Sequence, residues 1–441
     1  MSFTVITLFM LACSAVQINI QINTQPTSTL SPAVLHARPT QTPAATTVPV
    51  TVTSTPTLEP MTRLEPGQTV EISDLIMLGD TTGWGFEPGG HILHTLTGDK
   101  TWKDVTPPEN SYYTKRTFFS SDPNIAWAVS VKSTELKVWQ TSTAGRSWEA
   151  GETIGLENID AGKCGSLHLE TPFVNQISFI DSITGWMVVT ASASEHAYTV
   201  SMLFTTTDAG AHWSLKNLAT RDCSSSDDPD GLSSVLFWTP SEGWGGFFQN
   251  KFGYYPYNQE RYTGGWDIYR TGNSGESWER IKLPEPPGFL EEAAKTPKEN
   301  ATCGIVQFTP YSYAVFSLQM RCFIPNTTFY YYYLTFNNGT DWNIWKAVET
   351  EEFVVDVYAD HKTIGWRFVP SSSNRLSEIQ KTTDRGLTWG TIKKVAWQYA
   401  RFDFVDEHVG WAIINSGTNT LLLKTIDGGK TWRPLAPLME P

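Results

Sequence analysis

Thr425-Ile-Asp-Gly-Gly-Lys-Thr-Trp432 and Thr382-Thr-Asp-Arg-Gly-Leu-Thr-Trp389 are two copies of one octet, S/T-x-D-x-G-x-T-W. Five looser copies precede them, ending at Trp102, Trp148, Trp213, Trp278 and Trp342. The repeated positions are Thr206, Asp208, Gly210 and Trp213 in the third copy, Asn273, Gly275 and Trp278 in the fourth, and Asn337, Gly339 and Trp342 in the fifth. Asp384, Gly386, Trp389 and Asp427, Gly429, Trp432 complete the set, while in the first copy Thr97 and Asp99 replace Asp and Gly. The spacing has a physical logic. Asp or Asn accepts backbone N–H bonds inside a tight hairpin turn. Gly takes a positive-φ position. The hydroxyls cap the turn, and Trp folds back onto an apolar layer.

A second signature precedes each octet: an alternating strand, a short turn, then Gly-Trp. Phe179-Ile-Asp-Ser-Ile-Thr-Gly-Trp186 and Phe404-Val-Asp-Glu-His-Val-Gly-Trp411 are clear cases. The others centre on Trp84, Trp127 (after Ala126), Trp244 and Trp366, with Tyr313 standing in within the fifth unit. Two markers thus give the same count of seven.

Each unit reads as four short strands. The first ends at the turn, the second carries Gly-Trp, the third leads into the octet, and the fourth starts at the octet Trp. A unit this small cannot bury both faces alone, but stacking around an axis buries them. The expected fold is all-β, a seven-bladed β-propeller of four-stranded antiparallel blades spanning about Val70 to Pro437.

Composition agrees. The chain has 441 residues, too many for one ordinary core, with 18 Trp, 33 Gly and 26 Pro. Its formal charge of −13 argues against non-specific nucleic-acid binding, which needs a basic face. No metal constellation is read: His91 and His94 are three apart on a strand and do not share a face. Phosphate-loop and nucleophile-elbow patterns are absent, and no cofactor is expected.

The chain begins differently. Phe3 to Leu11 is apolar and uncharged, long enough for a signal core and too short to span a membrane. Ending in Leu11-Ala12-Cys13, it resembles the bacterial lipoprotein signal, which implies lipidation of Cys13. Thr24 to Pro60 is mostly Thr, Ser and Pro, an extended spacer that reaches roughly 115 Å at ~3.1 Å per residue. The expected domains are a signal peptide, 1–13, a tether, 14–64, and the propeller, 65–441.

The octet resembles the Asp-box, or bacterial neuraminidase repeat, whose boxes hold turns and rarely touch ligand. With the Gly-Trp strands, the pattern is most similar to the photosystem II assembly factor-like repeats. It also looks like the blades of the sortilin N-terminal domain. The resemblance covers nearly the whole folded part.

In such a propeller both signatures share one rim, and length variation concentrates on the other, where rigid scaffolds carry recognition loops. Cys303 opens the first strand of the fifth blade and Cys322 ends its second, so a Cys303–Cys322 disulfide is expected. Cys164 and Cys223 fall in neighbouring loops of the variable rim and are the second expected pair. The richest loop runs from Phe247 to Trp266. Its Tyr254, Tyr255, Tyr257, Glu260, Arg261, Tyr262 and Trp266 are the candidate ligand-binding residues. Tyr and Trp offer flat faces with polar edges, suited to sugars or to a protein partner; the loop could equally fold them into a cover over the axis.

The expected function is that of a membrane-anchored binding or scaffold module for a protein or glycan, monomeric and with no catalytic residue named. Two alternatives stand. A glycoside hydrolase would need paired carboxylates about 5–10 Å apart; Glu87, Asp227, Asp228, Asp230 and Glu260 lie in suitable loops. A sialidase would also need three arginines, for which Arg116, Arg221, Arg261, Arg321 and Arg401 are the candidates, but no Arg-Ile-Pro segment precedes the first octet. The second alternative is a photosystem-type assembly factor, whose arginine-rich patch has no counterpart in this acidic chain.

Overall fold

The structure, a computed structural model, describes residues 61–157, 159–160, 166–193, 199–220, 231–247, 267–289, 291, 302–312, 315–324, 327–347, 356–359, 364–371, 376–384, 388–416 and 419–440. Within the unit formed by residues 57–441, seven four-stranded antiparallel sheets follow one another in chain order. Their first strands are Asp74–Met77, Phe118–Phe119, Leu169–Phe179, Leu232–Phe237, Thr302–Ser312, Asp356–Ala359 and Tyr399–Phe404. First strands of successive blades touch, as between Tyr399–Phe404 and Asp74–Met77, which places them on the inside of the ring. Fourth strands such as Glu149–Gly155 are exposed along most of their length. The fold is the expected seven-bladed propeller.

The apolar core lies between blades. In the strand Gly410–Ser416 of blade 7, Trp411 and Ile413 join a cluster with Leu75, Met77 and Leu93 of blade 1. Their neighbours Ala412 and Ile414 join a cluster with Trp366 and Phe368 of blade 6. Alternation along one strand therefore feeds two seams, as a period of two requires.

The two signatures meet in register. The residue before each Gly-Trp tryptophan pairs with the first Thr of the octet: Gly83 with Thr95, Ala126 with Thr141, Gly185 with Thr206, Gly243 with Thr271, Gly365 with Thr382, and Gly410 with Thr425. In blade 5 that place belongs to Phe316, opposite Thr335. Tyr313, expected to mark this blade, lies outside the described residues. The aromatic that Phe179, Phe237 and Phe404 supply from the end of the first strand in blades 3, 4 and 7 is here supplied by the second strand, where Phe316 pairs with Pro310.

Inside the octets the hydrogen bonding repeats. Thr206 Oγ1 donates to Asp208 Oδ1 at 2.8 Å and accepts from Gly210 N at 3.0 Å, and Asp208 Oδ1 accepts from His212 N at 3.0 Å. Thr425, Asp427, Gly429 and Thr431 do the same. The residue before the octet glycine is also left-handed, as at Ala209, φ 63, and Ser274, φ 62. The first octet differs: its glycine comes one place earlier, with Gly98 at φ 69 and its N–H on Thr95 Oγ1.

Three seams share one construction: the Gly-Trp tryptophan of one blade stacks on the aromatic that ends the next blade's first strand. Trp127 lies on Phe179 at 3.8 Å, Trp186 on Phe237 at 4.0 Å, and Trp366 on Phe404 at 3.7 Å. That aromatic in turn lies flat on its own blade's glycine, so a Cβ at Gly185, Gly243 or Gly410 would stand 2.6, 2.5 or 2.4 Å from ring atoms. At four seams a Gly-Trp indole N–H crosses to the next blade's octet: Trp127 to Ala209 O, Trp366 to Gly428 O, Trp411 to Gly98 O and Trp244 to Asn338 Oδ1. Octet tryptophans such as Trp213 and Trp432 are only half-buried and pack edge-on against Phe179 and Phe404 of their own blades.

The ring closes through its last residues. Leu438–Met439 adds a fifth, parallel strand to blade 1 beside Thr101–Asp104. The Cys303–Cys322 disulfide joins directly opposed residues of blade 5. Cys164 and Cys223 lie outside the described residues, as do Cys13 and residues 14–60 of the expected tether; Arg63 and Leu64 at its end donate to Asp104 of blade 1.

Candidate functional site

The two rims differ in build. On the octet rim, the connection from third to fourth strand has the same length in six of the seven blades. On the opposite rim, blade 4 runs from Phe247 to Asp267 between strands, whereas blade 7 runs only from Ser416 to Asn419.

The candidate loop residues Tyr254, Tyr255, Tyr257, Glu260, Arg261, Tyr262 and Trp266 lie outside the described residues. Its roots do not. Phe247 ends a strand paired to Leu232, and Asp267 opens the next strand, paired to Lys282. Asp267 is buried, and Arg280 Nε donates to its Oδ2 at 2.7 Å, tying the loop's return to the outer strand of the blade. A long aromatic-rich segment therefore springs from a rigid base.

A second group stands where the ring closes. Burial alternates along Tyr399–Phe404: Ala400, Phe402 and Phe404 are buried toward blade 6, while Arg401 and Asp403 reach blade 1. Arg401 pairs with Asp74, which also faces Lys115 Nζ at 3.6 Å. Lys115 Nζ donates to Leu75 O at 3.0 Å, and Asp403 Oδ2 accepts from Met77 N at 2.8 Å. Burial pushes the Asp403 carboxyl up, only partly offset by the charge of Lys115 and the Met77 hydrogen bond. The cavity these residues line holds about 180 Å³ of empty space including its solvent-open side. Ligand pockets of drug size run to about 300–1,000 Å³; the contacts of this group run across the seam between blades 7 and 1. Of its members the sequence nominated only Arg401. Asp403 does not stand out in the sequence because it keeps the strand's alternation, in phase with Arg401 and opposite to Phe402 and Phe404.

Asp403 makes a pH prediction. A carboxyl whose folded pKa is raised binds its proton more tightly in the folded state. Its contribution to stability is therefore greatest below the ordinary carboxyl range and falls as pH climbs toward the raised value. Asp403→Asn keeps an acceptor for Met77 N and removes the titration. Urea unfolding of the variant should lack that part of the decline in stability above about pH 4; identical pH profiles would refute the assignment.

The other nominated groups are dispersed. Arg116 lies over Phe173 at 5.5 Å, Arg401 is engaged by Asp74, and Arg321 is exposed on the strand Val315–Ile324. Arg221 and Arg261 lie outside the described residues. Glu87 Oε2 accepts from Gly89 N at 2.6 Å and so holds its own turn; Asp227, Asp228, Asp230 and Glu260 lie outside. His91 Nδ1 contacts Asp104 Oδ2 at 2.9 Å, and His94 Nε2 contacts Pro123 O at 3.1 Å, with burial lowering the His94 pKa. Among the described residues no three His, Cys, Asp or Glu side chains gather as metal ligands.

No protein-family model matches the chain, and no curated protein matches it. Similar solved structures include YCF48 bound to D1 peptide, with 14% identity and a TM-score of 0.43 over 85% of this chain and 99% of that one. YCF48 from Cyanidioschyzon merolae shares 16% identity at a TM-score of 0.43, over 76% and 88% of the two chains. The GH93 alpha-L-arabinofuranosidase of Fusarium graminearum with arabinobiose shares 11% at 0.40, over 73% and 95%. At such identities nothing about ligand or activity passes from them to this chain.

Proposed function

We propose that the protein is exported, held at a membrane by lipid on Cys13 through its Thr/Ser/Pro tether, and works as a non-enzymatic module binding a protein or glycan. The octets, read as Asp-boxes, are its scaffold, and the long-loop rim is its recognition face. The contrast between rims carries this reading. Six of the seven blades share one turn length on the octet rim, whereas the other rim carries long connections, of which the blade-4 loop between Phe247 and Asp267 is the aromatic-rich one. A disulfide in blade 5 supports export, since such bonds persist in oxidising compartments.

The test replaces residues 248–266 with a Gly/Ser linker and compares both proteins on a glycan array and by affinity capture. Loss of binding with an unchanged melting temperature is expected, with Tyr255→Ala and Tyr257→Ala each weakening it. Binding that survives the loop replacement would move recognition elsewhere. Turnover of a chromogenic glycoside that vanishes in Glu260→Gln would overturn the non-enzymatic reading.

A further inference from the structure

Outer strands of successive blades reach across to the next octet. Lys216 Nζ meets Glu276 Oε1 at 3.3 Å between blades 3 and 4, Lys393 Nζ donates to Lys430 O at 2.9 Å between blades 6 and 7, and Arg433 pairs with Asp99 at 2.7 Å between blades 7 and 1. The contact between blades 2 and 3 is of another kind.

Six octets carry Thr, Ser or Asp immediately before the tryptophan, as at Ser277 and Thr431; the third carries His212. Its Nδ1 lies 2.6 Å from Asp208 Oδ2 of its own octet, and its Nε2 lies 3.3 Å from Glu152 Oε1 on the outer strand of blade 2. A neutral imidazole has one N–H, so it cannot donate to both carboxylates at once. Both contacts together require the imidazolium. The backbones meet at the same point: Glu152 N donates to Ala211 O at 2.8 Å, and a Cβ on Gly151 would stand 2.2 Å from Gly210 O.

We propose that His212 is a pH-operated clamp tying the outer strand of blade 2 to the octet hairpin of blade 3, closed when the ring is doubly protonated and loosened when it is neutral. Asp208 and Glu152 are the charged groups that act on the ring, and both favour its cation. The sign follows. With the folded pKa raised, the clamp is fully present below the ordinary imidazole value of about 6.5 and is lost as pH rises through the folded value. Because the ring is exposed, the clamp acts on local opening of one seam and leaves global stability little changed.

The experiment is amide hydrogen exchange on the full chain, read at the Glu152 N–H and corrected for the intrinsic pH dependence of exchange. Protection should fall by about two- to fivefold between pH 6 and 8.5. His212→Ser, which restores the residue type of the neighbouring octet, should abolish the pH dependence, and so should Glu152→Gln. An NMR titration of the His212 ring should show its midpoint drop in Glu152→Gln. Protection that is flat with pH in the parent protein, or a fall that persists in either variant, would overturn the clamp.

Discussion

Trp366→Ala is expected to cost about 3–5 kcal/mol of unfolding free energy, the range for deleting a fully buried indole. The Trp366 side chain is 0% exposed, stacks on Phe404 at 3.7 Å with planes 4° apart, and donates its N–H to Gly428 O at 2.8 Å. Its loss opens a cavity between blades 6 and 7 and leaves Phe404 covered on one face only. The comparison that gives the result meaning is Trp432→Ala. Trp432 belongs to the octet and is half-buried, lying over Phe402 at 5.6 Å within its own blade. Its removal should cost less than half as much. Equal losses in guanidinium unfolding would show that the stacked pair does not dominate the seam.

That comparison also marks how far the sequence could be read. The number of blades was legible because both markers occupy fixed places in the ladder, Gly410 opposite Thr425 and its equivalents. Which tryptophan joins the blades was not. Octet spacing makes Trp432 conspicuous, whereas the lock depends on Trp366 of one blade meeting Phe404 and Gly428 of the next, more than thirty-five residues on. A contact between repeats leaves no trace in the spacing within a repeat. Blade 5 misled for a related reason: Phe316 fills the slot from a different strand, so a search for Gly-Trp finds only Tyr313 nearby. The Cys303–Cys322 pair was legible because strand boundaries alone put both residues at one end of a hairpin. The group at the closure was legible only in Arg401, since nothing local ties Asp74 to a strand more than three hundred positions later. The blade-4 segment between Phe247 and Asp267 is the reverse case. Composition picks it out, but aromatic content cannot distinguish a binding face from a folded cover.

Ring closure carries the other large effect, and it hangs on two residues. Leu438 N donates to Lys100 O at 2.9 Å and Glu440 N to Trp102 O at 2.8 Å on one side of the strand. On the other side, Met439 N donates to Gln68 O at 2.9 Å, Gly67 N to Met439 O at 3.0 Å and Val70 N to Pro437 O at 3.0 Å. The final strand is thus held between the segment entering blade 1 and the blade's outer edge. Adjacent side chains on a strand point to opposite faces. Met439 is 3% exposed and packs with Val70, Ile72 and Trp102, while Leu438 is 41% exposed. Met439→Asp removes a buried apolar side chain and leaves an unpaired carboxylate in its place. The two losses together should exceed about 4 kcal/mol. Leu438→Asp, one residue away, should stay within about 1 kcal/mol. Urea unfolding of the two variants decides the matter. If both are mild, the ring does not depend on its last strand, and closure must reside in the Trp411, Arg401 and Asp403 contacts across the same seam.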